Sequence, residues 1–204
     1  MGITLIIVIA TAVVSYQGFT RTDLVYKYIL NAYQVVHRKE YHRMITSGFL
    51  HSDWMHLAFN MLALYSFGIQ VEFDFAQIFG TTKGPINFVL LYFLGMIFSS
   101  IYSVAKNRDN HNYNALGASG AVSAVVFASI LLHPDGQVAF FFIPMPSVVF
   151  GVIYLALSAY MSKKGHDNIG HDAHFWGSVF GFVFPILMKP ELLPRFINMV
   201  QEIF

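Results

Sequence analysis

The chain has 204 residues, 56% of them hydrophobic and only 11% charged, about half the charged share of an ordinary soluble domain. Twelve Lys and Arg stand against eleven Asp and Glu, a formal net charge of +1, so there is no basic field to draw nucleic acid by phosphate neutralisation and nucleic acid is excluded as a partner. With no cysteine, disulfides, thiolate nucleophiles and thiolate metal sites are excluded as well.

A hydrocarbon core about 30 Å thick takes roughly 17 to 25 apolar residues per spanning helix, so this length suits about six spans and short loops. Six apolar stretches bounded by charge, Pro or Gly answer to that number: Gly2 to Phe19, Trp54 to Val71, Pro85 to Ala105, Ala115 to Leu132, Pro146 to Met161 and Ala173 to Met188. The expected fold is an all-α membrane protein, a bundle of six transmembrane helices forming one domain over 1–204, with its core at 41–188. In the first stretch Ala10, Thr11 and Ala12 mimic a secretory cleavage site, but no Lys or Arg precedes the apolar run, so a retained helix is expected. The connection from Thr20 to Asp53 mixes Leu24, Tyr26, Tyr28, Ile29, Leu30 and Tyr33 with charges, a composition suited to the membrane interface of the bilayer. Another apolar run, Ala139 to Ile143, is broken by Pro144 and Pro146 and reads as interfacial too. The tail at 189–204 places Phe196, Ile197 and Val200 at helical spacing, the pattern of a short surface helix.

Polar side chains inside spans are costly, which makes them functional candidates. The second stretch opens with His56 and, four residues on, Asn60, so both project from one helical face. By itself this is an interhelical hydrogen-bond pair. The fourth opens with Gly117, Ala118, Ser119 and Gly120, and G-x-S-G arises by chance in roughly one chain in fifteen of this length. A serine there suits nucleophilic chemistry nonetheless, because glycine lets a substrate backbone approach and the amides of a helix start can hold an oxyanion. The sixth reads A-H-x-x-G-x-x-x-G from Ala173, with His174, Gly177 and Gly181, a groove for close helix packing beside an imidazole. Alternate helices enter from one side of the membrane, so His56, Asn60, Ser119 and His174 fall in one layer at most about 10 Å deep. Together they supply a nucleophile, a general base and oxyanion donors, the minimum set for acyl transfer.

With these residues in place, the sequence from Tyr41 to Phe184 resembles the rhomboid family of intramembrane serine proteases. The resemblance rests on Arg43 to Thr46 with Phe49, Leu50 and His51, on H-x-x-x-N at His56 and Asn60, on Gly68 and Glu72 as the end of helix two, on G-x-S-G at Ser119, and on the His174 motif. It implies that Ser119 is the nucleophile and His174 the base, that His56, Asn60 and the Ser119 amide form the oxyanion hole, and that no cofactor or metal is used. The implied substrates are transmembrane proteins, cut within the bilayer near a helix end. Two positions depart from the family pattern: His42 rather than Trp precedes Arg43, and Ser123 stands where many members carry an aromatic residue stacked on the catalytic histidine. Asp172 lies two residues before His174 and points elsewhere on a helix, so a Ser-His dyad is expected.

Two rivals come from other classes. The segment His166, Asp167, His171, Asp172 and His174 offers imidazole and carboxylate ligands for a membrane metalloenzyme, although no H-E-x-x-H helix is present. The other is a catalytically inactive rhomboid-like binding protein, against which stands the retention of both Ser119 and His174. Sidedness divides the indications. Nine of the twelve Lys and Arg fall on the active-site face, leaving only Lys83, Lys189 and Arg195 opposite, which by the charge rule turns the site toward the cytoplasm. Resemblance to bacterial rhomboids implies instead a bacterial cytoplasmic membrane with the active site facing outward, and that is the expectation adopted.

Overall fold

In the computed structural model, residues 2–140, 143–164 and 170–204 are described, and they are mostly helical. The first apolar stretch forms α1, Ile3–Thr20. The second and third join in one element, α5, Trp54–Lys106, which breaks at Gly80 with φ 88° and ψ 161°. Only glycine adopts that backbone conformation cheaply, and the chain doubles back there, setting Gly84 against the backbone of Phe75 and Ala76. The arms 54–79 and 81–106 are therefore an antiparallel pair.

The expected end of the second helix near Val71 is corrected, for the helix runs on to the Gly80 break. Gly68 and Glu72 serve a different purpose: they dock α1. Thr4 packs so closely on Gly68 that a Cβ there would lie 2.8 Å from the Thr4 methyl. The Glu72 carboxylate accepts from Ile3 N at 2.7 Å, Thr4 N at 2.9 Å and Thr4 Oγ1 at 2.8 Å. No cap bond comes from the side chain at the start of α1, and a carboxylate 68 residues away in sequence supplies it.

Between α1 and α5 lie α2 (Thr22–Tyr28), β1 (Leu30–Asn31), α3 (Ala32–His37), α4 (Arg43–Thr46) and a 3-10 turn (Ser47–Phe49). Arg43 organises them. Its guanidinium is buried and donates to Glu40 Oε2 at 2.6 Å, Ile29 O at 2.8 Å and Tyr26 O at 3.1 Å, whereas the side chain of the preceding His42 makes no capping bond to α4.

The fourth stretch was expected to be helical from Ala115, but Asn114–Ala115 forms β2, paired antiparallel with β1 in the register Leu30↔Ala115 and Asn31↔Asn114. Helix α6 begins only at Ser119 and runs to Leu132, with every residue from Gly120 onward buried. Such a helix, apolar on all sides, belongs in the middle of its neighbours. The apolar run after it folds as a hairpin, β3 (Gln137–Phe140) against β4 (Ile143–Pro146); Phe141 and Phe142 lie outside the described residues. Helices α7 (Ser147–Lys164) and α8 (His171–Met188) follow the fifth and sixth stretches, and α9 (Leu192–Ile203) is the expected tail helix. It is anchored by buried Leu192 and by Phe196, whose ring meets Phe182 edge-on at 5.1 Å. Among the described residues α1 and α5 are long and apolar enough to cross a membrane, while α6 is apolar but only 14 residues long.

Removing the remote cap has a measurable cost. Glu72→Ala strands the first amides of α1, a loss of about 1 to 2 kcal/mol for a helix cap, and should lower the thermal unfolding midpoint in detergent by a few degrees. Glu72→Gln keeps an acceptor and should fall between. An unchanged midpoint in Glu72→Ala would contradict this account of how α1 is held.

Candidate active site

The start of α6 is shaped from outside. Gly117 takes φ +120°, a conformation that side-chain-bearing residues rarely adopt, and a Cβ there would lie 2.6 Å from His56 Cε1 and 2.8 Å from Nε2. The Gly117 amide donates to Ser47 O at 3.0 Å and the Ala118 amide to His51 Nε2 at 3.3 Å. The next residue is half-buried Ser119, in the first helical turn, where amides have no carbonyl within the helix to bond.

His51 is buried and its bonds run in one direction. Because Nε2 accepts from Ala118, the ring proton sits on Nδ1 and faces Ser15 Oγ at 2.8 Å, and Ser15 in turn donates to Phe49 O at 2.8 Å. Burial pushes the His51 pKa down to about 3, helped by the neighbouring His56 and opposed by Asp53. This imidazole is neutral at physiological pH. It links α1, the turn before α5 and the start of α6.

His56 and Asn60 share one face of α5, as their spacing predicts. Asp53 caps the helix by accepting from His56 N at 2.8 Å, and that bond with the Ser52 hydroxyl holds its carboxyl below the ordinary carboxylate range. Ser52 Oγ lies 2.7 Å from Asp53 Oδ2 and 3.0 Å from His56 Nδ1. The Asn60 side chain is buried and its amide donates to His56 O at 2.9 Å.

His174 stands in the first turn of α8, its amide bonded to Gly170 O at 3.1 Å and its carbonyl accepting from Ser178 Oγ at 2.8 Å. Helix α8 meets α6 backbone to backbone. Gly177 lies against the Gly120 carbonyl and Gly181 against Ala124, and Gly120 faces the carbonyl of Ala173. Ser119 and His174 each adjoin a residue of that contact, so the sequence-predicted serine, histidine and His56-Asn60 pair gather around the start of α6. The ring of Tyr154 on α7 lies 6.1 Å from that of His174 at 28°, and its hydroxyl is 2.8 Å from Ser123 Oγ.

Asp172 does face away from this cluster. It accepts from Ser162 Oγ and pairs with Lys106 Nζ at 3.3 Å. Of the metal-binding alternative, His166 and Asp167 lie outside the described residues; His171 meets His174 edge-on at 5.9 Å. Sequence reasoning missed Ser15, Ser52 and Tyr154. Their hydroxyls within or beside apolar stretches were the available signal.

The family model for the Rhomboid domain matches residues 38–191. The chain belongs to the rhomboid family. Among curated relatives, RHOMBOID-like protein 12, mitochondrial, of Arabidopsis thaliana is 31% identical over 153 residues, covering 67% of this chain and 43% of its own length. Rhomboid protein 1, mitochondrial, of Saccharomyces cerevisiae is 31% identical over 147 residues, 69% of this chain and 40% of that protein. Presenilin-associated rhomboid-like protein, mitochondrial, of Homo sapiens is 30% identical over 142 residues, 68% and 35%. This rhomboid therefore spans less than half the length of the curated relatives it matches. Its family is membrane-embedded, but these relatives are mitochondrial by name and give no support to the expected bacterial cytoplasmic membrane.

The neutral His51 predicts an acid-sensitive fold. Between about pH 6.5 and pH 3 the unfolded chain binds a proton at this histidine that the folded chain does not, so stability falls as pH falls through that window. From pH 6.5 to pH 5 the loss from this group is about 1.5 to 2 kcal/mol. His51→Gln, which cannot titrate, should be less stable at pH 7 and should lose less on acidification; equal pH slopes in detergent unfolding would refute the assignment.

Proposed function

We propose that this rhomboid is an intramembrane serine endopeptidase with a Ser119-His174 dyad. The observation that carries the reading is the arrangement at the head of α6: a half-exposed serine in a first helical turn, His56 packed on Gly117 beside it, and His174 across the α6–α8 contact. Ser119 Oγ attacks the scissile carbonyl carbon as His174 takes its proton, and the imidazolium returns that proton to the leaving amine as the carbon–nitrogen bond breaks. Water then attacks the acyl carbon as the same imidazole takes its proton, and that proton returns to Ser119 Oγ as the Oγ–carbon bond breaks and the acyl group leaves as a carboxylic acid. The oxyanion is held by the Ser119 amide, the Asn60 amide and His56.

The proposed architecture is the six-span bundle: α1, the two arms of α5, α6, α7 and α8, with a water-accessible cavity where the site lies. Substrates are transmembrane segments whose helix must unwind to present an extended strand, so Gly or Pro near the cut lowers the cost. The same bundle puts the loops at Asn110 and Asp135 on opposite sides of the membrane, with the active site on the Asn110 side. Because the chain has no native cysteine, single cysteines at these two positions should be labelled by an impermeant thiol reagent from opposite sides; labelling from one side would overturn the six-span arrangement.

A fluorophosphonate serine probe tests the chemistry. Wild-type protein should be labelled and should cleave a transmembrane substrate, Ser119→Ala should do neither while remaining folded, and His174→Ala should be near background. Asn60→Ala should lose about 10² to 10³ in rate, the usual cost of one oxyanion donor. Cleavage that survives Ser119→Ala and depends on His171 and zinc would favour metal-based hydrolysis. An inert wild-type protein would leave a binding protein in its place.

A further inference from the structure

We infer that Tyr154 is the positioning residue for the His174 imidazole, held in place by Ser123, an inference that rests on the serine-protease reading above. Helix α7 presents the Tyr154 ring to His174 with centroids 6.1 Å apart and planes at 28°, within the range in which ring pairs attract. The ring is itself fixed on three sides. Its hydroxyl is bonded to Ser123 Oγ at 2.8 Å, and Phe127 of α6 and Phe150 of α7 pack on it at 5.8 Å and 5.7 Å.

Ser123 is four residues beyond Ser119 and so lies on the same face of α6. A path of contact thus leaves the nucleophile's helix at Ser123, passes through the hydroxyl and ring of Tyr154 on α7, and ends on the imidazole of α8. A short polar side chain at 123 suits this path, because a phenol packed in an apolar bundle usually takes a hydrogen-bond partner. Asp172, two residues before His174, is engaged by Ser162 and Lys106, and the Tyr154 ring packs beside the imidazole. The residue at 123 and the ring that steadies the histidine are thus parts of one device.

The test compares Tyr154→Leu, Tyr154→Phe, Ser123→Ala and the Tyr154→Phe/Ser123→Ala double variant, with kcat and KM for a transmembrane substrate, the rate of fluorophosphonate labelling, and the thermal midpoint. Tyr154→Leu should lower kcat and labelling about 10- to 100-fold, the scale of a misplaced catalytic group, with KM within about twofold. The two milder variants remove the same hydrogen bond, so each should lose a few-fold and the double variant no more than the worse of them. In the NMR spectrum the His174 ring protons should move in Tyr154→Leu and stay near their wild-type positions in Tyr154→Phe. Wild-type kcat in a folded Tyr154→Leu, a rise in KM alone, or additive losses in the double variant would overturn the inference while leaving the protease reading intact. If Tyr154→Leu fails to fold, the milder pair and the double variant decide by the same additivity criterion. A wild-type protein that neither cleaves nor labels overturns the protease reading, and this inference with it.

Discussion

The backbone contact between α6 and α8 is the constraint on which the rest of the site depends. In lipid, apolar helices gain nothing from hiding hydrocarbon against one another, so association relies on dispersion at close range and on hydrogen bonds. Gly177 and Gly181 let α8 approach until its Cα atoms meet the carbonyl of Gly120 and the backbone of Ala124. A Cβ at either position would force the helices apart. At that separation the residues bordering the contact, Ser119 and His174, are positioned by main-chain geometry, which is far stiffer than a side chain reaching across a wider gap. Burial of α6 from Gly120 to Leu132 completes the effect, because a helix enclosed on all sides has no lipid-facing direction in which to yield.

The segment between α1 and α5 does for the start of α6 what α8 does for its flank. Two consecutive amides, at Gly117 and Ala118, are taken up by Ser47 and His51, so the turn leading into Ser119 is fixed before the helix begins. Many of the charges in this segment are engaged. Arg43 is buried against Glu40 and two carbonyls, Arg21 pairs with Asp23 at 3.1 Å, and the Lys27 ammonium lies 5.3 Å over the Tyr28 ring. Counting such residues as free positive charge overstates their weight in orienting the chain, since the charge rule concerns short loops near span ends rather than folded segments with their own ion pairs. A nine-against-three count that includes these engaged charges therefore carries less weight than its size suggests.

Much of the helical plan was legible because apolar runs of span length have few alternatives. Stretches one, five and six match α1, α7 and α8 to within a few residues, and the polar layer was legible because His56, Ser119 and His174 interrupt those runs near their starts. What escaped depends on partners distant in sequence. Glu72 reads as a helix end until Thr4 is seen beside it, and Asn114–Ala115 reads as helix until Leu30–Asn31 supplies the ladder that pulls it into a strand. Tyr154 escaped for a related reason: periodicity places a tyrosine on a face but does not say which helix that face meets. Ser123 reads in the sequence as a small packing residue or a missing aromatic, and its meaning as a hydrogen-bond partner requires the neighbour.

The division of labour around His174 follows from the cost of charge in an apolar bundle. A carboxylate turned inward to orient the imidazole would have to be desolvated with it, at a cost that a single hydrogen bond repays poorly. Asp172 instead sits at the mouth of α8, where Lys106 from the end of α5 and Ser162 from the end of α7 satisfy it. There it ties three helix ends together and so fixes the helix rather than the ring. The ring beside the imidazole, that of Tyr154, carries no charge, and on the proposed reading its aromatic face offers one further advantage. When the imidazole takes the serine proton it becomes cationic, and the negative face of the Tyr154 ring attracts that charge without carrying one of its own. On that reading, packing both aims the base and steadies its charged form.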